Sequence, residues 1–109
     1  TNDSEENARL HLGQVKVNPH YDLDFLAGYD TGYGAKPSAG PLLAFAQVTH
    51  IEPSKIVMVG DSLHTDILGG AAAGMKTVLI TDHGLFRGED ALPFCVSCGL
   101  IPDWIVNTL

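Results

Sequence analysis

The residues of this chain best suited to chemistry are two aspartates, Asp61 and Asp66, which follow an apolar run at residues 56–59 and a glycine, Gly60. Gly60 allows the backbone to turn sharply where the run ends. Carboxylate oxygens are the ligands that a hard cation such as Mg²⁺ prefers. The arrangement therefore predicts a magnesium-dependent phosphoryl-transfer site. The alternative is that both aspartates only stabilise a helix N-terminus, where acidic residues are favoured.

A lysine that precedes a predicted helix is the second candidate. Lys36 lies upstream of Pro41, which suits the first position of a helix, and a positive charge there opposes the helix dipole. Lys36 is therefore not placed to stabilise the helix, which leaves a role in binding phosphate or that of a solvated surface lysine. The glycine-rich stretch 28–34 lacks the spacing of a Walker loop, so it is either a phosphate cradle or a flexible loop.

These candidates require strands that end at one edge and helices that begin beside them. The continuous apolar runs at 56–59 and 77–80 predict strands buried on both faces, as in a parallel sheet covered by helices. Further strands are predicted at 23–27 and 104–106, and a connector at 15–21. Capping signals and periodicity predict helices at 4–13, 41–49, 66–73 and 85–94, the third capped by Ser62 or Thr65. The alternation of helices and strands predicts an α/β fold.

Composition limits the possible partners. The chain has 109 residues, enough for one domain, with 45% hydrophobic and 17% charged residues. The net charge of -7 argues against nucleic acid or an anionic membrane surface as a partner, because either needs a basic patch. No membrane span or signal peptide is recognisable. Cys95 and Cys98 form a Cys-x-x-Cys pair, interpreted as two small residues near a turn rather than a redox or zinc site, and free thiols fit a reducing cytoplasm.

The chain resembles the haloacid dehalogenase-like (HAD) hydrolases, and within them the phosphoglycolate phosphatase group. Three sequence motifs carry this resemblance, and they occur in the family's order. Thr1-Asn2 is similar to the second motif, Lys36-Pro37 to the third, and Gly60-Asp61-Ser62 with Asp66 to the fourth. The resemblance covers nearly the whole chain.

The first motif of the family, Asp-x-Asp-x-Thr/Val after a buried strand, is absent, and so is the cap region. Asp22-Leu23-Asp24 is no substitute, because it begins a predicted strand and follows the second motif. The resemblance therefore implies a single partial domain at 1–109, the C-terminal part of a HAD core. The expected fold is a partial Rossmann-like core, with a parallel sheet flanked by helices, that lacks the first strand and the cap. Family topology would place the missing strands between the strands at 23–27 and 56–59.

The resemblance also implies a mechanism and a role for each site residue. The expected activity is Mg²⁺-dependent hydrolysis of a small phosphorylated metabolite of the phosphoglycolate type, through an aspartyl-phosphate whose aspartate lies outside this chain. At the metal site, Asp61 would bind the ion directly or through a water molecule, and Asp66 would orient a metal-bound water or the loop. Thr1 and Asn2 would hold phosphoryl oxygens, and Lys36 would neutralise charge on the nucleophile and the transferred group.

Two alternatives remain open, and one structural expectation follows. The parent protein could be a mutase of the phosphoglucomutase type, because the residues that decide this lie in the cap. The 109-residue chain could instead be catalytically inactive and act only as a structural or interaction module. Without its neighbouring strands, the strand at 56–59 would expose an unpaired edge, and we expect self-association through that edge.

Overall fold

A computed structural model of the protein describes residues 1–14 and 25–109. The α-helices, in chain order, are α1 (Glu5–Gln14), α2 (Gly40–Thr49), α3 (Leu68–Ala72) and α4 (Leu92–Cys98). The strands are β1 (Val57–Gly60), β2 (Lys76–Ile80) and β3 (Trp104–Val106). Short 3₁₀ turns cover Pro53–Lys55 and Gly84–Phe86, and a π-helical turn covers Leu63–Ile67. None of the described helices is long and apolar enough to cross a membrane.

The strands form one parallel sheet in the order β1-β2-β3. Val59 is paired with Val78, and Val78 with Trp104, so the strands run side by side in register. Helix α3 lies between β1 and β2 in the chain, and α4 between β2 and β3, as a parallel sheet requires. This confirms the predicted α/β class and the strands predicted at 56–59, 77–80 and 104–106. The prediction that the strand at 56–59 is buried on both faces was wrong, because Val57 and Val59 are 48% and 36% exposed.

The close approach of α3 to the sheet explains its glycines. A Cβ atom on Gly70 would lie 2.7 Å from the Cβ of Met58 on β1 and 2.9 Å from Cγ2 of Thr77 on β2. A larger residue would therefore push the helix away from the sheet. The glycines lower intrinsic helix propensity, and the closer packing offsets that loss.

The predicted helix at 66–73 begins differently in the structure. The N–H groups of Asp66 and Ile67 both donate to the carbonyl oxygen of Ser62, each at 3.1 Å, and this widens the first turn into a π-helix. Neither Ser62 nor Thr65 caps the helix through its side chain, so the predicted cap was wrong. The carboxylate of Asp66 instead accepts the N–H of Ser62 at 3.3 Å.

The strand predicted at 23–27 is not found over residues 25–27, while Leu23 and Asp24, like the predicted connector, lie outside the described residues. The backbone there bonds to the first residues of the chain. Thr1 N–H donates to Ala27 O at 2.8 Å, and Tyr29 N–H donates to Asp3 O at 3.0 Å. A Cβ on Gly28 would overlap the backbone of residues 3–5, so glycine is required at this irregular crossing.

Two apolar clusters of buried residues support the sheet. The larger joins the π-helical turn, β2 and α4, through Leu63, Ile67, Leu79, Phe86, Ala91 and Cys95. The smaller joins α2 to the chain around β2, through Ala46, Ala73 and Met75. Because Leu63 and Ile67 belong to the larger cluster, the turn that follows β1 is anchored by burial at both of its ends.

The edge of β1 that faces away from β2 has no partner strand in the described part of the chain. A cleft of about 260 Å³ lies beside it. Its apolar lining consists of Phe25, Leu26, Ala27, Pro41, Leu42, Phe45 and Met58, and Thr1 and Lys36 add polar groups. The cleft thus separates the segment at 25–27 from β1, the two segments between which the family topology would place the missing strands.

Asp103 ties the start of β3 to the start of β2. Its carboxylate accepts the backbone N–H of Thr77 at 2.9 Å and contacts the ammonium of Lys76 at 3.1 Å. In return, Asp103 N–H donates to the hydroxyl of Thr77 at 3.2 Å. The Thr77 N–H, and after it the Lys76 side chain, lower the pKa of the Asp103 carboxyl.

This lowered pKa makes the contribution of Asp103 to stability depend on pH. A carboxyl whose pKa is lower in the folded state stabilises the protein above its unfolded pKa, about 4, and loses that effect as the pH falls through the folded pKa. We expect Asp103→Asn to lower the urea midpoint at pH 7, and the difference from wild type to shrink below about pH 4. Glu89→Gln, at an exposed position, is the control. A difference that stays constant down to about pH 2 would contradict this assignment.

Candidate active site

A buried ion pair lies at the carboxyl end of β1. The ammonium of Lys36 contacts Oδ1 of Asp66, and the two side chains are only 18% and 7% exposed. The other oxygen of Asp66, Oδ2, accepts the N–H of Ser62. The carboxylate of Asp66 is therefore held from two sides, and its position depends on the π-helical turn that carries it.

Gly60 is the reason that the Asp66 carboxylate can lie where it does. A Cβ at residue 60 would overlap Cβ, Cγ and Oδ2 of Asp66. The side chain of Asp66 thus folds back onto the last residue of β1, and any residue larger than glycine would displace it. The glycine that the sequence suggested for a sharp turn is needed for this contact as well.

The backbone of Lys36 is held by the side chain of Asn2. The N–H of Lys36 donates to Oδ1 of Asn2 at 2.8 Å, and Nδ2 of Asn2 donates to the carbonyl oxygen of Lys36 at 3.0 Å. Thr1 lines the same cleft as Lys36, and its hydroxyl oxygen accepts the N–H of Asp3 at 3.1 Å. Of the predicted site residues, Asn2, Lys36 and Asp66 are joined by direct contacts, and Thr1 shares their cleft.

Asp61 lies apart from that group, at the exposed position that follows β1. Its carboxylate packs against Gly84, where a Cβ would lie 2.7 Å from Cγ of Asp61 and would overlap Oδ2. Gly84 also has a positive φ of 74°, which favours glycine for a second reason. No hydrogen bond or ion pair to this carboxylate occurs within residues 1–14 and 25–109. Asp61 is therefore an exposed carboxylate without a described polar partner, at the edge of the sheet where α/β folds bind ligands.

The two aspartates differ in their fitness to bind a cation. The carboxylate of Asp61 has no hydrogen-bond or ion-pair partner among the described residues, which suits a ligand to Mg²⁺. Both oxygens of Asp66 are already engaged, by Lys36 and by Ser62, and this geometry favours an orienting role for Asp66. No cluster of three or more His, Cys, Asp or Glu residues is present in the described ranges. The residues present therefore fit a Mg²⁺ site to which the described part of the chain contributes one carboxylate, that of Asp61.

Other candidate residues take no part in these contacts. His64 is exposed, and its ring lies edge-on to Phe94 with 6.4 Å between centroids. Cys95 is completely buried, and burial raises the pKa of its thiol, which disfavours the reactive thiolate.

Sequence reasoning missed the contact of Gly84 with Asp61. The available signal was a glycine in the loop after β2, which ends at the same edge of the sheet as β1.

Comparison with known proteins gives the class. The HAD-hydrolase-like family model matches residues 33–109, and the chain therefore belongs to the HAD-like hydrolases. A haloacid dehalogenase-like hydrolase domain-containing protein of Arabidopsis thaliana is 42% identical over 74 residues, which cover 68% of this chain and 29% of that protein. The phosphoglycolate phosphatase of Neisseria meningitidis is 34% identical over 113 residues, covering 100% of this chain and 43% of the enzyme.

A solved structure shares the fold. The p-nitrophenyl phosphatase from Archaeoglobus fulgidus is similar with a TM-score of 0.60 and 27% identity, over 68% of this chain and 28% of that one. The chain thus spans less than half the length of each of these proteins. These comparisons confirm the resemblance to HAD hydrolases and to phosphoglycolate phosphatases that the motifs indicated.

Proposed function

We propose that the complete protein is a Mg²⁺-dependent phosphatase that hydrolyses a small phosphomonoester of the phosphoglycolate type. The observation that carries this proposal is the buried pair of Lys36 with Asp66 at the same strand end as the exposed carboxylate of Asp61. The similarity to a phosphoglycolate phosphatase over the whole length of this chain supports the substrate class.

Each residue has a role in this proposal. Asp61 would hold Mg²⁺, which when bound supplies positive charge opposite the phosphoryl oxygens. Lys36 places a second positive charge at the cleft and neutralises charge on the transferred group. Asp66 and Ser62 fix the direction of the lysine side chain. The hydroxyl of Thr1 is free to donate to a phosphoryl oxygen, because its oxygen acts only as an acceptor from Asp3 within the described residues.

The nucleophile in this proposal is an aspartate outside the 109 residues, which forms an aspartyl-phosphate that water then hydrolyses. We infer that the strand carrying it pairs with the open edge of β1 and fills the apolar cleft. The pairing is supported because β1 has no partner on that side among the described strands. The filling of the cleft is supported by its apolar lining. The isolated chain would then be inactive, and its open edge would allow self-association.

Location and partners follow as further parts of the proposal. Cys95 and Cys98 are free thiols, which suits the reducing cytoplasm. The net charge of -7 disfavours nucleic acid and anionic membranes as partners, and it leaves the recognition of an anionic substrate to local charges such as Lys36.

The test compares the full-length protein with the isolated chain 1–109. We expect the full-length protein to release inorganic phosphate from p-nitrophenyl phosphate and from phosphoglycolate only with Mg²⁺ present, and to lose this activity in EDTA. We expect no turnover by the isolated chain. Turnover by the isolated chain would contradict the external nucleophile. A full-length protein that isomerises a sugar phosphate without releasing phosphate would support a mutase instead.

A second candidate is an interaction module without catalysis, which the open edge of β1 favours. Sedimentation velocity of the full-length protein distinguishes the two, because in the phosphatase the strand that carries the nucleophile would cover this edge. An interaction module would associate through this edge and show no Mg²⁺-dependent hydrolysis in the full-length form either.

A further inference from the structure

We propose that Asn2 is a positioning residue for the phosphoryl-transfer reaction, and that it acts by holding the backbone of Lys36. The proposal rests on the proposed function of Lys36. It assigns the Asn2 side chain to the lysine rather than to a phosphoryl oxygen, which is the role that the resemblance implies.

Both ends of the Asn2 amide are used in this contact. Oδ1 accepts the N–H of Lys36 at 2.8 Å, and Nδ2 donates to the carbonyl oxygen of the same residue at 3.0 Å. Only a side chain with both an acceptor and a donor, in the geometry of a peptide group, makes this pair of bonds. An aspartate would keep the acceptor and lose the donor, and a leucine of similar shape would lose both.

Asn2 itself has a fixed position. Thr1 N–H donates to Ala27 O, and Asp3 O accepts the N–H of Tyr29, so the backbone on both sides of Asn2 is tied to residues 27–29. The absence of a side chain on Gly28 permits this close approach. The amide is therefore carried by a backbone segment that hydrogen bonds hold against residues 27–29.

Lys36 needs such support because regular structure does not supply it. Lys36 lies in a turn before α2, and its backbone N–H and C=O have no hydrogen-bond partner other than Asn2 among the described residues. Its side chain is long and flexible, and must reach Asp66 thirty positions further along the chain. Because Asn2 holds the backbone of Lys36, it also fixes the position from which the lysine side chain extends towards Asp66.

The consequence for catalysis exceeds the consequence for stability. Both bonds between Asn2 and Lys36 are exposed to solvent, so water can replace them when the amide is removed. A displacement of about 1 Å in a catalytic group can nevertheless lower the rate about a hundredfold. We expect Asn2→Leu to lower kcat for p-nitrophenyl phosphate about 10- to 100-fold and to change KM by less than about threefold. Asn2→Asp should fall between wild type and Asn2→Leu.

A double-substitution cycle in the full-length protein provides the decisive test. If Asn2 acts through the lysine, Asn2→Leu should lower kcat in the wild-type background and have almost no effect in a Lys36→Met background. Factors that multiply in the double variant, or a loss of affinity for inorganic phosphate that Asn2→Leu still causes in the Lys36→Met background, would overturn the proposal, because both are expected of a direct phosphate ligand. Gln47→Leu is the control and should leave kcat unchanged, because Gln47 is exposed on α2 and its side chain makes no hydrogen bond within the described residues.

An NMR measurement, which does not require activity, tests the contact of Asn2 with Lys36 independently of the proposed function. In NMR spectra of the full-length protein labelled at the lysine ε-carbons, Asn2→Leu and Asn2→Asp should shift or broaden the Lys36 signal, and Gln47→Leu should not. An unchanged Lys36 signal in both Asn2 variants would overturn the positioning role. A shifted signal in a protein without phosphatase activity would support the contact and refute only the proposed function.

Discussion

Lys36→Met in the full-length protein is expected to lower kcat about a thousandfold and the free energy of unfolding by about 3 kcal/mol. The loss of rate follows because the lysine supplies a positive charge at a site where water is partly excluded. The loss of stability follows because Asp66 is 7% exposed and would keep a buried carboxylate without its main partner. Steady-state kinetics and urea unfolding measure the two effects separately.

A second substitution separates the role of Lys36 in catalysis from its role in the ion pair. Lys36→Met combined with Asp66→Asn removes the unpaired charge, so we expect at least half of the lost stability to return, with no recovery of kcat. Lys55→Met is the matched control, because Lys55 and Glu52 form an exposed pair at 3.7 Å. Exposed pairs of this kind contribute little to stability. A Lys36→Met protein with near wild-type kcat would refute the assignment of the lysine.

Asp61→Asn is expected to lower Mg²⁺-dependent activity strongly without loss of stability. The substitution removes the charge that would attract the cation, and we expect the Mg²⁺ concentration for half-maximal rate to rise at least about 100-fold and the rate at saturating substrate to fall about a thousandfold. Stability should not fall, because no described residue donates a hydrogen bond to this carboxylate. Mg²⁺ titration and thermal unfolding are the measurements, with Glu52→Gln as the control at the other end of β1.

The two variants therefore have different signatures. Lys36→Met should lose both activity and stability, whereas Asp61→Asn should lose only activity and Mg²⁺ affinity. If Asp61→Asn destabilised the protein as much as Lys36→Met did, the aspartate would be a structural residue and its assignment to the metal would be wrong.

The sequence predicted the sheet well because its strands are continuous apolar runs. The apolar run that forms β2 includes the buried residues Thr77 and Leu79, and such a run leaves a local signal. The run that forms β1 leaves the same signal, although Val57 and Val59 remain exposed on one face. The π-helical turn was missed, because its width depends on the Asp66 side chain folding back onto Gly60. The strand predicted at 23–27 was missed over 25–27, since the backbone there bonds to residues 1–3, far away in the chain.

The candidate site likewise has features that the sequence predicts and contacts that it does not. Asp61, Asp66 and Lys36 could be proposed from the sequence, because glycine-aspartate after a strand and a lysine before a helix are local patterns. The ion pair of Lys36 with Asp66 and the hydrogen bonds of Asn2 to Lys36 join residues that are thirty or more positions apart. Such contacts are decided by tertiary structure, and a single sequence contains no local signal for them.

The two cysteines provide a chemical probe of this fold. Cys95 is completely buried in the cluster that contains Leu63, Ile67 and Leu79, whereas Cys98, at the end of the same helix, is exposed. A thiol reagent should therefore modify Cys98 at once and reach Cys95 only when that cluster opens. The rate at Cys95 relative to Cys98 would report the opening of the structure that carries Asp66, with no label added by mutation.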